Sequence, residues 1–290
     1  MPDHFIAAPL PILWRDEHLI AIYKPSGWLV HRTGLDAGET RFVVQTLRDQ
    51  LGGQRVWPLH RLDKGTCGVL LLGLNADVAR AMGQAFTDQA VDKRYLALVR
   101  GWAPEAAEVD HALRPDDAPA DAPAQPAQTR FTRLARLERD EAVDPRFAST
   151  RASLVLAEPA TGRRHQVRRH LKHLAHPILG DANHGKGPLN RWWAERVGLQ
   201  RLWLHAWRIA FMHPVTGAPV CIDSGLRWGQ EGLSLGAEDQ ASAVVDSQVA
   251  SAAAAGLADW LRWREAAVWS LDEPPLAGPL AGPAGPAASA

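Results

Sequence analysis

The sequence predicts an α+β protein whose sheet is mostly antiparallel. Short apolar runs typical of strands recur along the chain, whereas helical periodicity appears in only a few segments. Strands and helices do not alternate regularly, as they would in a parallel sheet with crossover helices. The chain has 290 residues, enough for one large domain or two small ones with a substantial core.

Four apolar runs predict the first strands. The runs 12–14 and 19–23 flank a polar tetrapeptide and predict a strand, a turn and a second strand. They follow residues 1–11, which hold three prolines and indicate an N-terminal tail. The runs 56–59 and 69–72 enclose a polar segment with two glycines, which indicates a loop between two strands.

Two helices and three further strands are predicted next. Residues 40–51 carry apolar side chains at helical spacing. Asn75 is placed to cap a second helix, with Val78, Met82 and Phe86 on one face. Strands are predicted within 93–101, 151–156 and 202–212.

Composition marks the other segments. Residues 115–127 are rich in Pro, Ala and Asp without periodicity, which indicates a loop or insertion. One domain is predicted over 12–228, followed by a C-terminal extension over 229–290. In this extension an amphipathic helix could form at 257–271. Residues 273–290 are almost entirely Pro, Gly, Ala and Ser, a composition typical of disorder.

Charge and cysteine content narrow the class of protein. Lys plus Arg and Asp plus Glu each number 32, so the formal net charge is zero, and a nucleic-acid function would depend on local segregation of charge. Cys67 and Cys221 lie far apart and form no disulfide framework or zinc motif by spacing, which favours a reducing compartment. Residues 1–13 lack signal-peptide features, and no apolar stretch approaches the roughly 18 residues of a membrane span. We therefore expect a cytoplasmic protein without membrane contact.

The segment 161–173 concentrates positive charge. It has five Arg or Lys residues, three His residues and no acid. On a helix, Val167 and Leu171 lie on one face, and the following cationic residues share another: His165, Arg168, Arg169, Lys172 and His173. We expect a helix with its apolar face in the core and its cationic face outward. A solvated surface helix would explain this pattern, but one concentrated cationic element in a neutral chain favours a polyanionic partner.

Four histidines in this region raise the question of a metal site: His165, His170, His173 and His176. No cysteine or paired carboxylate joins them at a recognised ligand spacing. The neighbouring arginines would also repel a cation. We therefore expect no metal.

Asp63 is a candidate for chemistry because it stands between Arg61 and Lys64 in the loop between two predicted strands. Neighbouring positive charge favours the ionised form of a carboxyl group. An ionised aspartate held in place can act as a nucleophile or a base. It can equally form a salt bridge that pins a turn, and the loop alone favours this simpler interpretation.

Three segments, in this order, resemble the RluA family of pseudouridine synthases. His60-Arg61-Leu62-Asp63, with Thr66 and Gly68, is similar to the family motif H-R-L-D-x-x-T-S-G. Lys93-Arg94-Tyr95-Leu96-Ala97, with Val99 and Gly101, is similar to K-x-Y-x-A-x-V-x-G. Residues 162–170, then 176–178 and 180–181, are similar to G-R-x-H-Q-L-R-x-H and H-P-I-x-G-D. The chain departs from the family with Cys67 in place of Ser, Val167 in place of Leu and Tyr23 in place of Asn.

The resemblance covers about residues 12–228 and implies a fold and a reaction. The fold would be a long bent mixed sheet, flanked by helices and loops, with the active cleft near its middle. The reaction would detach uracil from C1′ of a uridine in RNA, rotate it and rejoin it through C5. Because this is an isomerisation without redox change or imported groups, no organic cofactor or metal is expected.

The resemblance also assigns roles to matching residues. Asp63 would be the nucleophile or the base that starts glycosidic cleavage, and Arg168 would pair with it and keep it ionised. Tyr95 would stack on the target uracil and take part in the final proton removal. Arg61 would hold the RNA, and Val167 would line the pocket. Three further residues would bind the substrate: His60, Arg163 and His165.

Within the family, residues 24–32, 44–50 and 199–202 resemble a branch that modifies tRNA at position 65 and lacks an N-terminal S4 domain. With the first predicted strand near Ile12, we expect no such domain here, and we expect a monomer. Three alternatives remain open: a synthase acting on ribosomal RNA, a non-catalytic RNA-binding module, and a metal hydrolase built on the histidines.

Overall fold

The computed structural model describes residues 9–32, 38–116, 118–119, 121–229, 232–235 and 256–272. The strands in this part of the chain are β1 (Ile12–Arg15), β2 (Leu19–Lys24), β3 (Trp57–Pro58), β4 (Cys67–Gly73), β5 (Asp92–Arg100), β6 (Ala106–Asp110), β7 (Gln128–Arg139), β8 (Thr150–Pro159), β9 (Leu204–Met212), β10 (Pro219–Asp223), β11 (Leu226–Gly229), β12 (Gly232–Leu235) and β13 (Val268–Leu271). Its helices are α1 (Val43–Gln50), α2 (Ala76–Thr87), α3 (Gln166–His173), α4 (Gly187–Val197), α5 (256–261) and α6 (Trp263–Ala266).

Eleven strands of the described residues form one sheet, in the order β1-β2-β4-β9-β5-β8-β7-β13 with three strands outside this path. Those three are β3, β10 and β6, which pair with β4, β9 and β7, while β11 and β12 form a separate hairpin. Every pair is antiparallel except β4 with β9, where Cys67 lies opposite His205. The predicted α+β class, with a long mixed and mostly antiparallel sheet, is confirmed.

Helices on both faces explain the unbroken apolar runs 19–23 of β2 and 69–72 of β4. On one face, Val43 and Leu47 of α1 pack against Ile20, Ile22, Leu70 and Leu72. On the opposite face, Val78 and Met82 of α2 pack against Leu19, Ala21, Val69 and Leu71. Because successive strand residues point to opposite faces, a strand covered on both sides needs apolar residues at every position.

The helices predicted from periodicity are present. The helix predicted within 40–51 is α1, and Asn75 caps α2 by accepting the Val78 N–H at 2.9 Å. In the cationic segment 161–173, called the basic segment from here on, α3 begins only at Gln166. His165, the residue before it, adopts a left-handed backbone with φ of 54°. The helix α4 was not predicted.

The C-terminal extension differs from its prediction. The single helix expected at 257–271 is wrong at its C-terminal end, where β13 pairs antiparallel with β7. Trp260 and Trp263 are fully buried in the main core and fix this segment against the sheet. The edge of β7 offers unpaired backbone groups, which a strand satisfies and a helix would not.

The chain ends are described only in part. Residues 1–8 of the predicted tail and residues 273–290, predicted to be disordered, lie outside the described residues. Leu10 is buried, and its N–H donates to the Gln50 side chain at 2.8 Å, so the end of the predicted tail packs on α1. None of the described helices has the length and hydropathy needed to cross a membrane.

The parallel pairing of β4 with β9 places the Asp63 loop near the middle of the sheet. Gly68 has φ of 110°, and a Cβ there would lie 2.1 Å from the Ala206 carbonyl oxygen. Only glycine permits this conformation and this approach. The loop between β3 and β4 therefore ends at the centre of the sheet, beside β9 and β5.

Candidate active site

The loop that carries Asp63 is fixed through its main chain. Thr66 donates its N–H to the Asp63 carbonyl at 3.0 Å. From the end of β2, the Lys24 ammonium donates to the carbonyls of Lys64 at 3.2 Å and Thr66 at 2.7 Å. The Asp63 side chain itself keeps 26% of its surface exposed. The carboxylate is thus held in a defined place and remains open to a ligand.

Lys24 is a buried cation directly beneath this loop. Its side chain is fully buried, and its third hydrogen bond, at 3.0 Å, goes to the Pro25 carbonyl. Burial lowers the pKa of Lys24 to about 7, although the charges of Cys67 and Asp63 act in the opposite direction. The motif containing Lys24 was noted in the sequence, but no role was assigned to this residue.

Arg168 links Asp63 to a second carboxylate, Asp181. Its Nη1 donates to Asp63 Oδ2 at 2.9 Å, while Nε and Nη2 donate to the two oxygens of Asp181 at 2.7 and 2.8 Å. Burial by itself would lower the pKa of Arg168, but the two carboxylates raise it on balance. The expected outward position is therefore wrong for Arg168, which is buried because two acids inside the domain compensate its charge.

Asp181 is a second site residue to which the sequence analysis assigned no role. Its side chain is fully buried, and its Oδ1 also accepts the N–H groups of Asn183 and His184, both at 2.9 Å. Burial raises the pKa of Asp181, but the bonds from Arg168 and these N–H groups lower it on balance. Gly180 has φ of 76°, and a Cβ there would lie 1.7 Å from the Arg201 carbonyl oxygen. This glycine beside an acid in the H-P-I-x-G-D segment was the available signal.

Tyr95 lies on β5 near the same carboxylate. The register between β5 and β9 shifts at Arg94 and Tyr95. The half-buried Tyr95 ring packs both against the main core and against the part of the core beneath α1. Burial and, second, the charge of Asp63 raise the pKa of the Tyr95 hydroxyl. The hydroxyl is therefore neutral near pH 7. A carboxylate, a fixed cation and an aromatic ring together suit attack on a planar base.

His165 and Arg163 lie at the entrance to α3. The Nε2 atom of His165 is 3.8 Å from Asp63 Oδ1, and its Nδ1 atom is 2.9 Å from an oxygen of Asp116. Arg163 is exposed, and its Nε donates to the Pro126 carbonyl at 3.0 Å. The structure thus brings His165 to Asp63 and leaves Arg163 at the rim.

The three other predicted substrate-binding residues lie in different environments. Arg61 is exposed on the Asp63 loop, and Val167 is buried in the main core cluster. His60 accepts the Leu71 N–H at 3.1 Å and stacks on Phe86 with ring centroids 5.3 Å apart. Burial, followed by the charge of Lys93, lowers the pKa of His60 to about 3. This geometry favours a structural role for His60 over the predicted substrate contact.

The histidines of the basic segment serve different neighbours. His170 contacts the Thr129 hydroxyl and the His111 carbonyl, and His176 contacts the Arg100 carbonyl at 2.7 Å. His173 stacks on His111 with centroids 4.4 Å apart. Within the described ranges, no three His, Cys, Asp or Glu side chains are arranged to hold a metal ion.

Comparison of sequences identifies a family and several similar proteins. The family model described as RNA pseudouridylate synthase matches residues 18–173. The chain is 46% identical over 231 residues to tRNA pseudouridine synthase C of Vibrio cholerae, covering 77% of this chain and 94% of that protein. It is 43% identical over 228 residues to tRNA pseudouridine synthase C of Yersinia pestis, covering 76% and 87%. For the protein of the same name from Haemophilus ducreyi, the identity is 47% over 221 residues, covering 74% and 90%.

Solved structures resemble this fold. Human RNA pseudouridylate synthase domain containing 4 superposes with a TM-score of 0.55 at 27% identity, covering 73% of this chain and 87% of that one. Human RNA pseudouridylate synthase domain containing 1 gives a TM-score of 0.59 at 22% identity, covering 88% and 98%, and shows the fold alone.

Proposed function

The chain belongs to the RNA pseudouridylate synthase family and is a pseudouridine synthase, and we propose that its substrate is tRNA and its essential carboxylate Asp63. The observation that carries the choice of Asp63 is its 2.9 Å bond to Arg168. This bond uses only Oδ2, and among the described residues the nearest partner of Oδ1 is His165 at 3.8 Å, beyond hydrogen-bond range. One oxygen is thus held while the other is left for the substrate.

The reaction needs an aromatic face for the displaced base and a carboxylate for the cleavage, and these residues supply both. The uracil must leave the base stack, because its reacting atoms are inaccessible when stacked. The face of Tyr95 offers replacement stacking worth about 1–3 kcal/mol. Cleavage at C1′ then needs a carboxylate held in place beside a compensating cation, which Asp63 has in Arg168. Attack at C6, attack at C1′ and elimination through a glycal all depend on this same carboxylate.

Support for tRNA comes from the relatives, which are 43–47% identical over about three quarters of the chain and carry a tRNA-specific name. The resemblance at residues 24–32, 44–50 and 199–202 further favours the uridine at tRNA position 65. Ribosomal RNA is the alternative substrate, since the motif residues carry the chemistry and peripheral loops select the RNA. A non-catalytic role is disfavoured by the joint presence of Asp63, Arg168 and Tyr95.

Mapping pseudouridine in a strain that lacks the gene tests the substrate. We expect loss of the modification at tRNA position 65 and its return on complementation with the wild-type gene. Loss in ribosomal RNA with tRNA unchanged would refute the tRNA assignment.

The role of Asp63 is tested by Asp63→Asn, with tritium release from C5-labelled uridine as the assay. We expect kcat to fall at least about 10³-fold, because the neutral amide can neither attack nor accept a proton. Asp77→Asn is the matched control, since Asp77 is 90% exposed on α2, and it should retain full activity. Retained turnover in Asp63→Asn would overturn the assignment.

A further inference from the structure

The carboxylate of Asp116 lies among cations at the entrance to α3. Its oxygens are 2.9 Å from His165 Nδ1, 3.3 Å from Arg169 Nη1 and 3.9 Å from Arg164 Nε. Asp116 belongs to the Pro- and Asp-rich insertion, whereas the two arginines and His165 belong to the basic segment. The Asp116 carboxylate is thus shared by three side chains of another segment.

The insertion and Arg114, the residue before it, supply further oxygens to this face. Arg169 donates to the Arg114 carbonyl at 2.6 Å, and Arg163 donates to the Pro126 carbonyl at 3.0 Å. The side chains of Asp116 and Arg164 are 31% and 51% exposed, so solvent reaches the cluster. Ion pairs at this degree of exposure are weak, and a competing anion can replace one.

The position of this cluster relative to Asp63 gives it a functional meaning. The His165 ring stands between the two acids, with Nδ1 toward Asp116 and Nε2 toward Asp63. An RNA whose uridine enters the site must pass its sugar–phosphate backbone close to Asp63. A backbone phosphodiester carries one negative charge, as a carboxylate does, and its two free oxygens accept hydrogen bonds from paired arginines.

We propose that Arg164, His165 and Arg169 form a binding site for an RNA backbone phosphate, which Asp116 occupies in the free protein and vacates when RNA binds. The proposal rests on the proposed function only in that the ligand is RNA. Binding then exchanges one anion for another, so Asp116 weakens the affinity for RNA. If Asp116 served only to orient His165, its removal would lower kcat and leave RNA binding unchanged.

The test compares Asp116→Asn with Asp121→Asn, both made in full-length Asp63→Asn protein so that bound RNA is not turned over. Asp121 is an exposed residue of the same insertion, and among the described residues it has no ion-pair partner. Kd for a tRNA transcript is measured over a range of salt concentrations. We expect Asp116→Asn to lower Kd about 2- to 5-fold. It should also steepen the dependence of log Kd on log salt by up to about one, since Asp116 no longer neutralises the site in the free protein.

A double-mutant cycle with Arg169→Ala checks that the effect acts through the cluster. Arg169→Ala should weaken binding and remove most of the gain from Asp116→Asn, because the two residues are in contact. In otherwise wild-type enzyme, Asp116→Asn should lower KM with little change in kcat. Unchanged or weaker binding, or an equal gain in Asp121→Asn, would overturn the proposal.

A ribosomal RNA helix tested in parallel separates this proposal from the substrate assignment. Phosphate contacts carry no sequence information, so Asp116→Asn should tighten binding of either RNA. Turnover of ribosomal RNA instead of tRNA would refute the tRNA assignment and leave the phosphate site supported. Turnover of tRNA without any effect of Asp116→Asn on affinity would support the tRNA assignment and refute the phosphate site.

Discussion

One guanidinium nitrogen of Arg168 donates a 2.9 Å hydrogen bond to the carboxylate of Asp63. The other two guanidinium nitrogens, Nε and Nη2, each donate to Asp181, at 2.7 and 2.8 Å. The bidentate pair fixes the plane of the guanidinium, so only Nη1 remains to meet Asp63. Asp181 is therefore a positioning residue that sets where the Asp63 carboxylate is held.

Asp181→Asn should lower kcat about 10²-fold with little change in KM for RNA, because a misplaced Arg168 shifts the reacting carboxylate. It should also lower the free energy of unfolding by roughly 3 kcal/mol, since it removes one partner of a buried ion pair. Tritium release and urea unfolding measure the two effects. Asp272→Asn is the matched control, because Asp272 forms a similar two-bond pair with Arg133 on β7. That control should lose stability and keep kcat; an equal loss of kcat there would contradict the positioning role.

Acidification should reduce the stability that the Arg168–Asp181 ion pair contributes. The pKa of Asp181 is lowered in the fold from its ordinary value of 3.8, so its contribution to stability is present above that pH. The contribution is lost as the pH falls through the lower folded value. We expect the stability difference between wild type and Asp181→Asn to shrink below about pH 4. A difference that stays constant from pH 6 to pH 3 would argue against an ionised Asp181.

Tyr95→Phe should separate the ring from the hydroxyl. The ring remains, so KM should change little, whereas loss of the hydroxyl should lower kcat about 10²-fold if it assists removal of the C5 proton. A primary isotope effect with C5-deuterated uridine should then appear, because proton removal becomes rate-limiting. Tyr95→Leu should in addition weaken RNA binding by about 1–3 kcal/mol through lost stacking. Wild-type kcat in Tyr95→Phe would confine Tyr95 to stacking.

Lys24→Met should loosen the Asp63 loop, because the Lys24 ammonium donates to three carbonyls around it. We expect kcat to fall about 10-fold. The pKa of Lys24 is about 7 in the fold and 10.5 ordinarily, so the unfolded chain binds more protons between these values. The unfolding free energy of wild type, relative to Lys24→Met, should therefore rise with pH from about 7 to 10. Urea titrations at several pH values test this, and Lys186→Met, at an exposed position, should not reproduce the trend.

Cys67→Ser should alter the pH dependence of stability. Arg201 lies 2.7 Å and His205 lies 3.1 Å from the Cys67 sulfur. Burial raises the pKa of this thiol, but Arg201 and His205 outweigh it and lower the pKa to about 5. A folded value below the ordinary 9.0 means stability that is complete above pH 9 and lost as the pH falls toward 5.

The unfolding free energy of wild type, relative to Cys67→Ser, should therefore rise between pH 5 and 9. Thiolate absorbance in a Cys221→Ser background should titrate near pH 5. Titration near pH 9 would show that Cys67 is an ordinary thiol.

Local features of the fold followed from the sequence. The capping of α2 by Asn75 and the apolar runs of β2 and β4 depend on neighbouring residues and on side-chain alternation. The C-terminal end of the extension was predicted as helix, but it forms the strand β13 because the edge of β7 lies beside it. Its backbone partners are distant in sequence, and periodicity carries no information about them.

For the site, the sequence by itself determined the candidate Asp63, the concentration of positive charge at 161–173 and the family that its motifs resemble. Only the tertiary structure decided that Arg168 is buried between Asp63 and Asp181, and that His60 bonds to the backbone of β4. Asp63 and Arg168 are 105 residues apart, and the folded sheet brings them together. Residue type and spacing determine which groups can ionise and which face of a helix they share. Their charge partners depend on distances in space, which the packing of the whole sheet sets.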